Sequence, residues 1–327
     1  MSKSTKLCAI IAAIIFAVFL FSSQNNQKQN DIPLIAIANY GPHASLQQTI
    51  EGIKSELFEL GYRENENIRY EIADVNFETS LIIQMLTKLK SSKPKLIVAI
   101  STPIAQAAKN MIRNIPVVYA DVTDPLDAGL VNNHKYNNIT GASDRQDLSL
   151  MLQFAKQLLP SAKTVGLLYS TGEANDLSLL GMLQKDAKQQ GLKVIAVPIE
   201  HTRDIVIRMQ LFKDKVDFIY TGSSGAIQAA LPAIISTAES MKLPLFNFNS
   251  DEVIAHNALA SYGVSHAKIG ANAARIIDQI MQGKKPENIK PIYPTKDDHA
   301  AYISRKRANN IGIIIPDNLP KHITIVD

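Results

Sequence analysis

From Ile32 onward the chain alternates short β-rich apolar runs with stretches of helical spacing, and this alternation limits the fold more than any other feature. Leu34-Ile35-Ala36-Ile37-Ala38 reads as a buried strand. Ile50, Ile53, Leu57 and Leu60 then recur at helical intervals, and Gly61 supplies a stop in the left-handed region. Strands are expected next at 68–72, 96–100 and 117–120, separated by one helix carrying Leu81, Met85 and Leu89 and another from Pro103 to Met111. The second half repeats the scheme with strands at 165–169, 194–197, 218–220 and 245–246. Strands alternating with helices form parallel sheets covered on both faces.

The two halves also align with each other. Gly61 in Glu59-Leu60-Gly61-Tyr62 matches Gly191 in Gln189-Gln190-Gly191-Leu192, 130 positions on, and Pro116 before Val117-Val118-Tyr119 matches Pro244 before Leu245-Phe246-Asn247, 128 positions on. Residues 96–108 lie without gaps on residues 218–230, an offset of 122. Similar offsets at separate places imply a duplication. The expected fold is therefore α/β, with two doubly wound parallel-sheet lobes and a ligand cleft between the carboxyl ends of their strands. The long helix from Ser265 to Gln282 has no sheet position of its own in the second half and is expected to cross back onto the first. Crossings near 138–144, 260–264 and 284–293 would then divide the chain into lobe 1 (32–142 with 264–289) and lobe 2 (143–263 with 290–327).

Residues 1–31 have a different character. Lys3 and Lys6 precede an unbroken apolar run from Leu7 to Phe21, followed by a polar stretch beginning Ser22-Ser23-Gln24. This pattern describes an export signal. At ~1.5 Å per residue the run spans roughly 22 Å, short of the ~30 Å hydrocarbon core. Cleavage after Ser22 or Ser23 would place Leu20 or Phe21 where a small residue is wanted, so removal of the leader and its retention as a tether through residues 7–21 both stay open. In either case the remainder works in the periplasm or another extracytoplasmic space. Cys8 is the one cysteine, and it lies in the leader, which excludes disulfides and cysteine-based metal sites from the folded part.

At 327 residues, with 46% apolar and 20% charged side chains, the chain is long enough for two globular lobes and is not disordered. Its net charge of +4 is too thin and scattered to imply a nucleic-acid partner. No phosphate loop, dinucleotide fingerprint or nucleophile elbow is present, and the seven histidines show no metal-type i, i+4 pair. No catalytic residue, metal or cofactor is expected.

Helix starts at the cleft are the binding candidates. Ser101 and Thr102 are cap-type residues after the strand 96–100, and Pro103 suits a first helical turn. Unpaired N–H groups there favour an anion such as a carboxylate. Ser223 and Ser224 with Gly225 repeat the arrangement from the other half. Ser45 and Gln48 read as a capping box, with His43 in the same loop. Asp124, Asp144, Glu173 and Asp251 at strand ends are candidates for an ammonium group, and Asn175 and Asn249 share those loops.

These residues carry a resemblance. The chain resembles ABC-transporter substrate-binding proteins of the type associated with tryptophan or tyrosine uptake, from about Pro33 to Pro320. The resemblance rests on Gly61-Tyr62, Ser101-Thr102-Pro103-Ile104-Ala105-Gln106-Ala107, Thr123-Asp124-Pro125, Asn138-Ile139-Thr140-Gly141, Tyr169 to Asn175 and Ala258 to Gly263. It implies a type I periplasmic-binding fold whose lobes close on a small ligand, such as an amino acid or similar carboxylate, for delivery to the membrane subunits of an ABC permease by a monomer. The chain departs from the family pattern at Ser224, where an aspartate is common, and at Ser265-His266, where Asp-Tyr is common. A membrane-anchored sensor ectodomain and an α/β enzyme are the alternative readings.

Overall fold

A computed structural model describes residues 32–131, 138–320 and 322–327. The leader, its tether and Cys8 lie outside the described residues. In chain order the first half contains β1 (Leu34–Asn39), α1 (Ala44–Glu59), β2 (Arg69–Asp74), α2 (Ile82–Ser91), β3 (Leu96–Ile100), α3 (Thr102–Met111), β4 (Val117–Val122) and β5 (Ile139–Ser143). The strands form one sheet in the order β2-β1-β3-β4-β5, parallel throughout. The apolar runs at β1 and β3 are buried along their whole length, because helices cover both faces of the sheet.

After α4 (Leu148–Leu158) the second sheet begins with β6 (Thr164–Ser170), α5 (Ala174–Gln189), β7 (Lys193–Ile199), α6 (Ile205–Met209), β8 (Phe218–Thr221), α7 (Gly225–Ala229), α8 (Leu231–Ser240), β9 (Leu245–Asn247), α9 (Asp251–Ile254) and β10 (Ala260–Val264). Its order, β7-β6-β8-β9-β10, repeats the first sheet strand for strand. β11 (His299–Ser304) then adds antiparallel to β10, and β12 (Ile323–Val326) completes the edge. The internal alignment therefore falls on equivalent elements. Gly61 and Gly191 both adopt positive φ, +92° and +71°, and close α1 and α5 with the same backbone bond, from the Tyr62 N–H to Leu57 and from the Leu192 N–H to Ala187.

α10 (His266–Met281) leaves the second sheet and packs on α1 and on β4 and β5 of the first, so the core of the first sheet includes Ile269, Ala273, Ile276 and Ile280. Two glycines set this contact. A Cβ on Gly52 would sit 2.3 Å from the Ala267 carbonyl oxygen, and one on Gly270 would sit 2.2 Å from that of Thr49. Both obstacles are backbone, which cannot rotate away. Gly270→Val should consequently destabilise the fold by about 1–3 kcal/mol through overpacking, read as a lower midpoint in urea unfolding.

Candidate functional site

Both sheets point their carboxyl strand ends at a common cleft, where the order 2-1-3-4-5 has its switch point. The loop after β1 supplies Tyr40 and His43, and the turn from β3 into α3 supplies Ser101 and Thr102; Asp121 lies near the end of β4, Asp144 follows β5, and His266 opens α10. The other wall carries Asn175, Ser223 and Gln228. The cavity between them leaves only about 20 Å³ for the centre of a water molecule, room for little more than one water. The lobes are thus drawn together.

Three contacts hold them so. Gln48 of α1 donates to Asp251 across the cleft at 2.7 Å. The Tyr40 phenol lies against the Glu173 carboxylate, and both burial and that charge push its pKa up. Gly225 admits Tyr40 and Phe77 to its backbone, since a Cβ there would meet the Tyr40 ring at 2.5 Å. Tyr40 and Phe77 themselves meet edge to face with centroids 5.5 Å apart.

At the ends of β3 and β4 the backbone is strained. Ser101 has φ +84° and ψ 154°, a region otherwise left to glycine, and Asp121 has φ +53° inside a strand that loses register between Tyr119 and Val122. Both residues line the cavity. The turn at Asp121 brings its carboxylate to His266, where Nδ1 donates to Oδ1 at 2.9 Å. Burial works to lower the His266 pKa, but the charge and hydrogen bond of Asp121, with Asp144 and Asp251, raise it overall. Asp144 is pushed up to about 7 by burial and by the charge of Asp121. His43 moves down, first through burial and then through His266. The Ser45 N–H donates to His43 Nδ1 at 3.3 Å, which places the ring proton of a neutral imidazole on Nε2.

Several polar atoms of this lining are buried without a protein partner. Asp121 Oδ2, Asp144 Oδ1 and Asn175 Oδ1 are acceptors, while Thr102 Oγ1 and, when protonated, His266 Nε2 can donate. Buried polar groups are normally paired, so a set of orphans around one cavity marks a place for a ligand that satisfies them. Thr102 also begins α3, whose first N–H groups have no intrahelical partner. A small molecule bearing both an ammonium and a carboxylate matches this mixture of acceptors and donors.

His43, Ser101, Thr102, Asp144, Asn175 and Ser223 accordingly meet at the cavity with Ser45, whereas Pro103, Asp124, Glu173, Ser224, Asn249 and Asp251 have different surroundings. Pro103 follows in the first turn of α3, behind the lining. Asp124 accepts from the N–H groups of Leu126 and Asp127 and pairs with Arg145 at 2.9 Å, which fixes the turn after β4. Glu173 accepts from Gly225 and Ala226 N–H at 3.2 and 3.1 Å. It thereby occupies the second helix start that the sequence offered to a ligand, with Ser224 fully buried beside it. Asn249 accepts from the Asp251 N–H in the loop after β9, and Asp251 receives Gln48. The Ser45–Gln48 capping box does not form, because His43 caps α1 and Gln48 reaches over the cleft. Sequence reasoning passed over Tyr40, Phe77, Asp121 and Gln228, and met His266 only as a departure from the family pattern. For Asp121 a signal existed: a carboxylate set between Ala120 and Val122 in an otherwise buried strand is costly without a purpose.

Residues 34–326 match the family model of the ABC transporter substrate binding protein. The chain belongs to that family. A tyrosine-binding protein of Clostridioides difficile is 28% identical over 303 residues, covering 88% of each chain. Among solved structures, a Streptococcus pneumonia ABC domain in complex with L-Trp is 27% identical, with a TM-score of 0.85 over 91% of this chain and all of its own. A ligand-free, open substrate-binding protein from Clostridium difficile, also 27% identical, reaches 0.69 over 90% of this chain and 99% of its own. The fold is of the periplasmic-binding type I, and this substrate-binding protein is an extracytoplasmic solute binder rather than an enzyme. Its better overlap with the ligand complex than with the open structure accords with the drawn-in cleft.

Proposed function

We propose that this substrate-binding protein captures an α-amino acid, or a similar small zwitterionic carboxylate, between lobe 1 (32–142 with 264–289) and lobe 2 (143–263 with 290–327), and delivers it as a monomer to an ABC permease. One observation carries the reading: orphaned acceptors at Asp121, Asp144 and Asn175 share one interlobe cavity with the orphaned hydroxyl of Thr102 at a helix start. The acceptors receive the ammonium, and Thr102 with the α3 N–H groups receives the carboxylate. The relatives that bind tyrosine and L-Trp make aromatic amino acids the first members of the series to try, with Tyr40 and Phe77 as the apolar wall.

The test is equilibrium binding across the amino acids, each set beside its ester and its decarboxylated amine. The free amino acid should bind, and both analogues should bind much more weakly. An ester equal to the acid would overturn the carboxylate site. Thr102→Val keeps the side-chain shape and removes one charge-assisted hydrogen bond of ~1.5 kcal/mol, so affinity should fall about tenfold. If Thr102 were structural alone, the melting temperature would drop and affinity would not.

A further inference from the structure

The small positive surplus that is scattered in the sequence is gathered by the fold. At the amino ends of β1, β3 and β4, the pole of the first lobe opposite the cleft, a groove of about 860 Å³ is lined by Arg69, Lys93, Lys95, Lys284 and Lys285. They come from three segments far apart in sequence: the start of β2, the turn between α2 and β3, and the end of α10. No carboxylate shares the lining. All four lysines are exposed, and among the described residues none of the five cations forms an ion pair. In a chain with a net charge of only +4, five unopposed cations on one face are a local concentration.

From this charge and from the path of the chain we infer that the groove is a docking face for an anionic lipid surface. Ile32 and Pro33, the first of the described residues, form part of the same groove. The apolar run 7–21 is separated from Ile32 by residues 22–31, a stretch that spans at most ~35 Å when extended. A membrane holding that run keeps the groove close to lipid headgroups. Their potential acts over about 10 Å at 0.1 M salt, and each cation close to an anionic surface contributes roughly fivefold in affinity. Other occupants fit less well. A second copy would bring cations against cations, and residues 22–31 hold Lys28 and Asp31 with no negative surplus. Docked this way, the first lobe rests on the membrane with the ligand cleft at the far end.

The test uses the full chain on vesicles of phosphatidylcholine alone or with one-third phosphatidylglycerol, followed by brief lysine acylation and mass spectrometry. Lys93, Lys95, Lys284 and Lys285 should react about fivefold more slowly on the anionic vesicles, with the difference lost in 1 M salt. Lys193 and Lys213, exposed on the second lobe, serve as references and should not change. A Lys93→Glu/Lys284→Glu variant, altering exposed side chains only, should lose the protection while keeping its melting temperature. Equal reactivity on both vesicle types overturns the proposal. So does equal protection by a soluble polyanion such as dextran sulfate without vesicles, which would make the groove a general polyanion site.

Discussion

Asp121→Asn is expected to weaken ligand binding by roughly thirtyfold to several thousandfold, the range for removing one member of a buried charge pair, while the lobes stay folded. The substitution is chosen because an asparagine Oδ1 can still accept from His266 Nδ1, which the wild-type carboxylate does at 2.9 Å. What it removes is the charge and the second, unpaired carboxylate oxygen, Oδ2, at the cavity. A ligand ammonium would lose its ionic partner there. Isothermal titration should show the loss, and the thermal midpoint of the unliganded protein should fall by much less. If affinity holds and only the midpoint falls, Asp121 serves to position His266 and the ammonium site lies elsewhere.

The fold was legible in the sequence because parallel strands buried on both faces leave continuous apolar runs, and residues 34–38 and Leu96–Ile100 are such runs. The repeat was legible because Gly61 and Gly191 answer the same backbone requirement at the end of the same helix in each sheet. Half of the site could be read for a related reason. In doubly wound sheets the carboxyl strand ends converge, so loops carrying Ser101, Thr102, Asn175 and Ser223 had to meet. The remainder depended on contacts that no local pattern records. His266 reaches Asp121 over 145 positions, Gln48 reaches Asp251 over 203, and Glu173 fills the α7 start from 52 positions away. Gln48 illustrates the ambiguity: its spacing from Ser45 suits a local cap, yet His43 already supplies that cap and frees the amide to bridge the lobes. The charge surplus was obscured for the same reason, since Arg69, Lys93 and Lys284 become neighbours only through the sheet and the crossing helix.

Raising the pH from 5 to 7 should move stability and ligand affinity in opposite directions. Burial, then the charge of Asp121, pushes the Asp144 carboxyl up to about 7. Burial does the same to Asp176, also to about 7, against the opposing hydrogen bond from the Ser170 N–H. An unfolded chain releases these protons near pH 4, so between about 4 and 7 the folded chain binds more protons than the unfolded one. These two carboxyls then make the stability of the unliganded protein decline as pH rises through that window, against the opposite contribution of His43, whose pKa burial lowers. Ligand binding has the reverse sign, because an ammonium beside Asp144 requires the ionised carboxylate. For a group titrating at about 7, the ionised fraction grows from about 1% at pH 5 to one half at pH 7, so affinity should rise roughly fiftyfold and level off above pH 8. Asp144→Asn separates the two effects. The variant should bind weakly with a flattened pH dependence, yet keep the part of the stability slope that belongs to Asp176. Thermal melts and titration calorimetry from pH 5 to 8 measure both quantities on the same samples. An affinity that stays level or falls between pH 5 and 7 in the unmodified protein would remove Asp144 from the ammonium site, because no ionised carboxylate of such a raised pKa could then be engaged by the ligand.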